Sequence, residues 1–144
     1  MKGWLAILFC ALTISVFGQQ PEVHFRAIDI YVDSGSALLA AYQLEFSVTN
    51  VPTQIVGIEG GSPKSFREPP FYDSKAMQQE RVVIAAFSLD NPENLPTGKV
   101  RVATIHIQTR QTEPLGIRLE LHTAADSKGK KISATATCEE KNAP

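Results

Sequence analysis

The strongest constraint on the fold is an alternation of apolar and polar residues in one central segment. From Leu38 to Val48 every second residue is apolar, and from position 43 onward polar residues such as Gln43 fill the positions between them. Side chains of a strand point alternately to its two faces, so this pattern predicts a strand with one buried and one solvated face. The same alternation recurs from Leu115 to Leu121. Both segments therefore predict strands of an antiparallel sheet that has one solvent-exposed face.

Further apolar segments predict five more strands. The apolar parity changes near Ala27 and between Val102 and Ala103, and each change predicts a bulge or a twist. The segment 81–89 is apolar at both parities, which predicts a strand covered on both faces or a central strand beneath a loop. Helical periodicity is weak in the remaining sequence. Only Ser74–Glu80 predicts a helix, of about two turns, capped by Ser74 or Asp73. The five additional segments are Val23–Val32, Ile55–Ile58, Arg81–Leu89, Val100–Ile107 and Ile132–Cys138.

The fold class expected from these strands is all-β. Turn signals rich in Gly, Pro, Asn and Asp separate the segments, as in an antiparallel β-sandwich. We predict a single sandwich domain over residues 19–138, followed by a loose C-terminal tail over residues 139–144.

The N-terminus has the pattern of a signal peptide over residues 1–18. Lys2 precedes an apolar run of about 14 residues, shorter than the roughly 20 that a membrane-spanning helix needs. Val16 and Gly18 suit the positions that a signal peptidase reads, so cleavage is expected after Gly18. A retained membrane anchor is the alternative. The pattern predicts a secreted, periplasmic or cell-surface protein.

Charge and cysteine content narrow the possible partners. The net charge is −1 and no basic patch is present, which argues against nucleic acid or an anionic membrane surface as a partner. Removal of Cys10 with the signal peptide would leave Cys138 alone, either as a free thiol, as half of an intermolecular bridge, or as a small apolar residue of the last strand.

Motifs that carry catalysis or bind a cofactor are absent from the sequence, and the chain is predicted not to be an enzyme. No G-x-S-x-G elbow occurs, and none of His24, His106 and His122 has a partner at metal-ligand spacing. One loop offers oxygen ligands of the kind that Ca²⁺ prefers, although its spacing is not that of an EF-hand and such residues also form ordinary turns. The candidate calcium ligands are Asp90, Asn91, Glu93 and Asn94.

The most unusual segment is the aromatic and proline-rich stretch 65–73. Aromatic rings and arginine dominate recognition hot spots, and flat rings also stack on sugars. The alternative is that the rings fold down and plug one end of the sandwich. The candidate ligand-binding residues are Phe66, Arg67, Glu68, Phe71, Tyr72 and Asp73.

The order of the strands and their parity resemble the cohesin-like modules. The resemblance covers Val23 to Cys138 and implies a jelly-roll sandwich of the type that cohesins share with certain carbohydrate-binding modules. It implies either a protein partner bound on one sheet face, as cohesins bind dockerins, or a glycan bound on an aromatic strip. The chain departs from both patterns in its segment 66–72, and its only tryptophan is Trp4. The segments that carry the resemblance are Asp33–Gly35, Ala41–Phe46, Ile55–Gly61, Val83–Ser88 and Thr97–Ile107.

The function expected from the sequence is that of an exported, non-catalytic recognition module of cohesin-like type. Its partner would be a protein or a cell-surface polysaccharide. Two alternatives remain: a secreted hydrolase acting on polysaccharide, and a calcium-stabilised structural protein of the cell envelope.

Overall fold

Two antiparallel sheets packed face to face form the molecule, and the computed structural model describes residues 18–141. One sheet has the strand order β3-β6-β1-β8 and the other β4-β5-β2-β7. The predicted all-β sandwich is therefore confirmed, while the predicted signal peptide lies, apart from Gly18, outside the described residues. The strands are β1 His24–Asp33, β2 Ala41–Val48, β3 Thr53–Gly60, β4 Phe71–Tyr72, β5 Arg81–Phe87, β6 Lys99–Thr109, β7 Ile117–Ala125 and β8 Thr135–Glu140.

Helical structure in the described residues is confined to three short 3-10 turns, Lys64–Phe66, Ser74–Ala76 and Pro92–Asn94. The two-turn helix predicted over Ser74–Glu80 is thus a single turn, capped by the Asp73 carboxylate, which accepts a hydrogen bond from the Lys75 backbone N–H at 2.9 Å. Within residues 18–141, no helix has the length and apolarity needed to cross a membrane.

The hydrophobic core lies between the sheets, where the inward positions of β2 meet those of β1. Leu44 and Phe46 are fully buried, as the alternation predicts, and so are Ile28 and Ile30 opposite them. The inward apolar side chains of β7 are half-buried except that of Ala124, because β7 forms an edge of its sheet and one of its sides is open.

One of the two predicted changes of parity is a bulge and the other is not. Ile30 pairs with Ala103 but Tyr31 pairs with Arg101, so Val102 is an extra residue in β6 and both it and Ala103 point inward. Around Ala27 the pairing of β1 with β6 is regular. Of the bulge or twist expected there, the bulge is wrong, because the apolar residues before Ala27 lie on the outer face of the sheet.

Strand β5 is not covered on both faces, contrary to one of the two expectations for this segment. It lies between β4 and β2, and its inward Val82 and Ile84 are buried. On its outer face Val83 and Ala85 are half-buried, and Phe87 is exposed. The strand therefore presents apolar side chains to solvent.

The chain remains ordered past the point where a loose tail was expected. Strand β8 continues through Glu140, where its pairing with β1 ends at Ile28. The Arg26 guanidinium donates to both carboxylate oxygens of Glu140 at 2.6 Å, and Lys99 Nζ lies 2.6 Å from Glu139 Oε1. The tail prediction is wrong for residues 139–141, and residues 142–144 lie outside the described part of the chain.

Candidate functional site

The predicted aromatic segment 65–73 divides into a buried part and an exposed part. Phe66 ends the first 3-10 turn and is 2% exposed, with its ring edge-on to the Tyr42 ring at 5.4 Å between centroids. The Gly61 backbone N–H donates to the carbonyl of Phe66 at 2.6 Å. A Cβ atom on Gly60 would lie 1.9 Å from the Arg67 carbonyl oxygen, so only glycine permits this approach. Phe66 is therefore a plug of the core.

Phe71 takes the opposite role, because β4 carries it onto the outer face of the sheet. It pairs with Ala85 of β5, and its ring stacks on the ring of Phe87 with a centroid distance of 5.9 Å and an interplanar angle of 12°. Phe71 is 68% exposed and Phe87 60% exposed. We call these two rings, with the Ala85 side chain beneath them and Leu89 just beyond the strand, the aromatic face.

The other candidate residues of the segment are not part of the aromatic face. Tyr72 is 38% exposed and follows Phe71 in β4. Arg67 and Glu68 are exposed in the connection that leads into β4. Asp73 is exposed as well, and its carboxylate is engaged as the helix cap described above.

The far end of the same outer sheet face is charged. The Arg81 guanidinium donates two hydrogen bonds to the Glu45 carboxylate, at 2.7 and 2.6 Å, and these bonds lower the pKa of Glu45. His122 Nε2 lies 3.8 Å from Glu45, and Arg118 lies 3.5 Å from Glu120. The face thus passes from exposed aromatic rings at one end to paired charges at the other.

Sequence reasoning missed Phe87 and Leu89 as surface residues. Leu89 is 91% exposed. The available signal was that segment 81–89 is apolar at both parities, whereas one strand of a two-layer sandwich has only one inward face. Apolar residues at the second parity must then lie outside, unless another element covers them.

The predicted calcium ligands form a turn with ordinary internal bonds. Asp90 Oδ2 accepts from the Ser65 hydroxyl at 3.0 Å, and the Asn94 backbone N–H donates to the Asn91 carbonyl at 2.9 Å. Glu93 is exposed in the 3-10 turn between them. Calcium binding by Asp90, Asn91, Glu93 and Asn94 stays a prediction.

Histidine, cysteine and carboxylate side chains are dispersed over residues 18–141, where no three of them are placed to hold a metal ion together. His106 is half-buried, with Nε2 3.2 Å from Glu59 Oε1 but without the geometry of a hydrogen bond. Cys138 is half-buried in β8, where burial raises the pKa of its thiol.

Solved structures with a fold similar to this one include cohesins and cohesin complexes. A non-cellulosomal cohesin from the hyperthermophilic archaeon Archaeoglobus fulgidus aligns with a TM-score of 0.56 and 10% identity, over 78% of this chain and 75% of that chain. The fold is cohesin-like. A chain of the CaDoc0917–CaCohA2 complex aligns with a TM-score of 0.56 and 11% identity, over 81% of this chain and 85% of that chain.

A third match comes from a type I cohesin–dockerin complex of Clostridium thermocellum, with a TM-score of 0.51 and 10% identity over 74% of this chain and 91% of that chain. No protein-family model and no curated protein sequence matches the chain. At such low identity the likeness establishes the cohesin-like fold, which the sequence resemblance implied, and leaves function to be argued from the surface of the molecule.

Proposed function

We propose that this cohesin-like domain is a non-catalytic protein-binding module that docks its partner on the aromatic face. The observation that carries the proposal is the stacked pair of exposed rings, Phe71 and Phe87, on the outer side of a rigid sheet. Contiguous apolar side chains at the surface of a folded protein mark interaction sites, and aromatic residues supply much of the energy of such contacts.

The charged end of the same sheet face suits the rim of an interface. The Arg81–Glu45 pair and the Arg118–Glu120 pair lie on β5, β2 and β7, away from the rings. Exposed charges beside an apolar centre contribute more to orientation and association rate than to affinity. We therefore expect a partner with an apolar ridge that covers the rings and with polar side chains toward β7.

A protein suits the aromatic face better than a polysaccharide does. Because the two rings are nearly parallel, each covers part of one flat side of the other. Each ring keeps only its other flat side for a sugar to stack on, whereas a protein side chain can also pack against the ring edges and the aliphatic surface around them. Two of the solved structures with this fold contain a cohesin and a dockerin, which is consistent with a protein partner.

The place where this module acts follows from the N-terminal pattern. Residues 1–18 read as a signal peptide, so the proposed partner is a protein met outside the cytoplasm, in the periplasm or at the cell surface. The hydrolase and the calcium-stabilised structural protein remain the alternatives, and no feature of residues 18–141 described above favours either.

The test is an affinity capture from the exported proteins of the source cells, followed by titration of the captured protein. The double variant Phe71→Ala/Phe87→Ala is expected to weaken the complex at least about 30-fold, the effect of losing roughly 2 kcal/mol at a hot spot. Phe25→Ala is the matched control, because Phe25 is 71% exposed but lies on the outer face of the other sheet. A captured partner that binds the double variant as tightly as the unaltered chain would refute the proposal.

A further inference from the structure

A polar groove lies at the end of the sandwich where β5 begins, and none of the residues of the aromatic face lines it. It forms where β3 begins, β6 ends and segment 78–81 leads into β5, and its volume is about 830 Å³. Five glutamines line it: Gln54, Gln78, Gln79, Gln108 and Gln111. Pro52 is the only apolar residue in the lining, so every other side chain there carries a polar or charged group.

The glutamine amides of this groove are free to meet a ligand. Four of them are exposed and Gln108 is half-buried. The local hydrogen bonds use other groups: the Thr109 hydroxyl donates to the Pro52 carbonyl at 2.9 Å, and the Gln111 backbone N–H donates to Thr109 Oγ1 at 3.1 Å. Each glutamine side chain offers two donors and an acceptor, which is the chemistry that complements sugar hydroxyl groups.

Charge at the groove is balanced, which favours an uncharged ligand. Arg81 lies in the lining, but its guanidinium is bonded to both oxygens of Glu45. The remaining charged residues of the lining are Glu80 and Arg110, of opposite sign. An anion would find no surplus of unpaired positive charge here.

An exposed aromatic ring adjoins the amides. Gln108 of β6 pairs with Gln54 of β3 on one side and with Phe25 of β1 on the other. Residues directly opposite one another in a sheet share a face, with Cβ atoms about 5 Å apart, so the three side chains form a row across the outer face. Phe25 is 71% exposed, and no other ring among residues 18–141 stacks on it. Its flat side is open to a sugar ring.

The wall of the groove is held in place by backbone bonds. Gln78 has a φ of 68°, the only positive φ of a non-glycine residue in residues 18–141. Its N–H donates to the Ile55 carbonyl at 2.8 Å, and the Ile55 N–H donates to the Gln79 carbonyl at 2.9 Å. Residues held in this sparsely populated region recur at ligand sites. These bonds also occupy this stretch of the β3 edge, so a peptide cannot add there as a further strand.

We propose that this groove binds a neutral oligosaccharide, with one sugar ring stacked on Phe25 and its neighbours hydrogen-bonded to the glutamine amides. No residue of the aromatic face lines the groove, although the groove shares Arg81 with the charged end of that sheet face. A cell-wall or extracellular polysaccharide of uncharged sugars is the expected class of ligand.

The test is native gel electrophoresis of the mature chain in gels containing a soluble polysaccharide. The neutral probes are β-glucan, xylan and galactomannan, and the charged comparators are pectin and heparin. At least one neutral polysaccharide is expected to retard the protein, and isothermal titration with the matching oligosaccharide then gives Kd. Phe25→Ala and the double variant Gln54→Ala/Gln108→Ala should each weaken this binding at least 10-fold, while Phe71→Ala/Phe87→Ala should leave it unchanged.

The outcomes separate this proposal from the proposed protein-binding function. Loss of glycan binding in Phe25→Ala with the protein partner still bound supports the groove, provided that the unfolding midpoint is unchanged. Retardation only by pectin or heparin, retardation by none of the five, or binding that survives both groove variants would overturn it. Glycan binding lost only on changing Phe71 and Phe87 would also overturn it, since the site would then be the aromatic face.

Discussion

Replacing Phe66 by alanine tests the division of the aromatic segment into a plug and an exposed face. The side chain is 2% exposed and edge-on to Tyr42 at 5.4 Å. Truncating a buried phenylalanine removes its apolar contacts and leaves a cavity, which together cost about 3–5 kcal/mol. The loss of the edge-on contact with Tyr42 is included in that range, so we expect the free energy of unfolding to fall by about 4 kcal/mol. In a domain of this size that is a fall of roughly 12–20 °C in Tm.

Phe71→Ala is the matched control, since it makes the same chemical change five positions away at a residue that is 68% exposed. It should cost less than about 1 kcal/mol. Urea unfolding followed by tyrosine fluorescence, with thermal melts by circular dichroism, measures both variants against the unaltered mature chain. The reasoning would be refuted by equal costs for the two variants, or by a Phe66→Ala cost below about 1 kcal/mol, since the ring could not then be a core plug.

Three further changes probe the backbone, the last strand and the paired charges. Gly60→Ala should lower the free energy of unfolding in urea by more than about 2 kcal/mol, because the added Cβ would lie 1.9 Å from a backbone oxygen. Gly57→Ala is the control, since its added Cβ would make only an ordinary contact at 3.7 Å. Equal losses for the two variants would contradict this prediction. Deleting residues 139–144 should lower the free energy of unfolding by about 1–3 kcal/mol, because it removes two ion pairs and the end of β8. Deleting residues 142–144 alone keeps those contacts and serves as the control. Indistinguishable thermal melts of the two truncated chains would contradict this prediction. The Arg81 guanidinium donates to the Glu45 carboxylate and lowers its pKa in the folded protein. The ionised Glu45 therefore stabilises the fold at pH values above its ordinary pKa of 4.5, and this stabilisation is lost as the pH falls below that value. Glu45→Gln should therefore lose less stability on acidification, and identical pH profiles of the unfolding midpoint would contradict this.

The strands themselves could be predicted well, because an alternation of side chains is a local property. Leu44 and Phe46 had to share a face in any strand, and the sequence showed that this face is apolar. The extra residue at Val102 was visible for the same reason. The pattern could not say which face is inside when both are apolar. It therefore predicted a bulge or a twist near Ala27, where the pairing is regular and Phe25 faces solvent.

The candidate site could be predicted only in part. Composition singled out the segment that contains Phe66 and Phe71, but one ring is buried and the other exposed. The difference depends on the close approach of the Gly60 backbone to the Arg67 carbonyl, which lets the first 3-10 turn pack its phenylalanine against Tyr42. No local pattern carries that information.

What the sequence alone determined is the class of fold, the position of most strands and the polar side of β2. These follow from a period of two that each segment carries by itself. Only the tertiary structure decided which strands lie side by side in each sheet. The pairing of β4 with β5 stacks Phe71 on Phe87. The order β3-β6-β1 places Gln54, Gln108 and Phe25 in one row. The strand order is set by the simultaneous burial of all inward faces, which depends cooperatively on segments far apart in the sequence. Both proposed binding surfaces depend on this order.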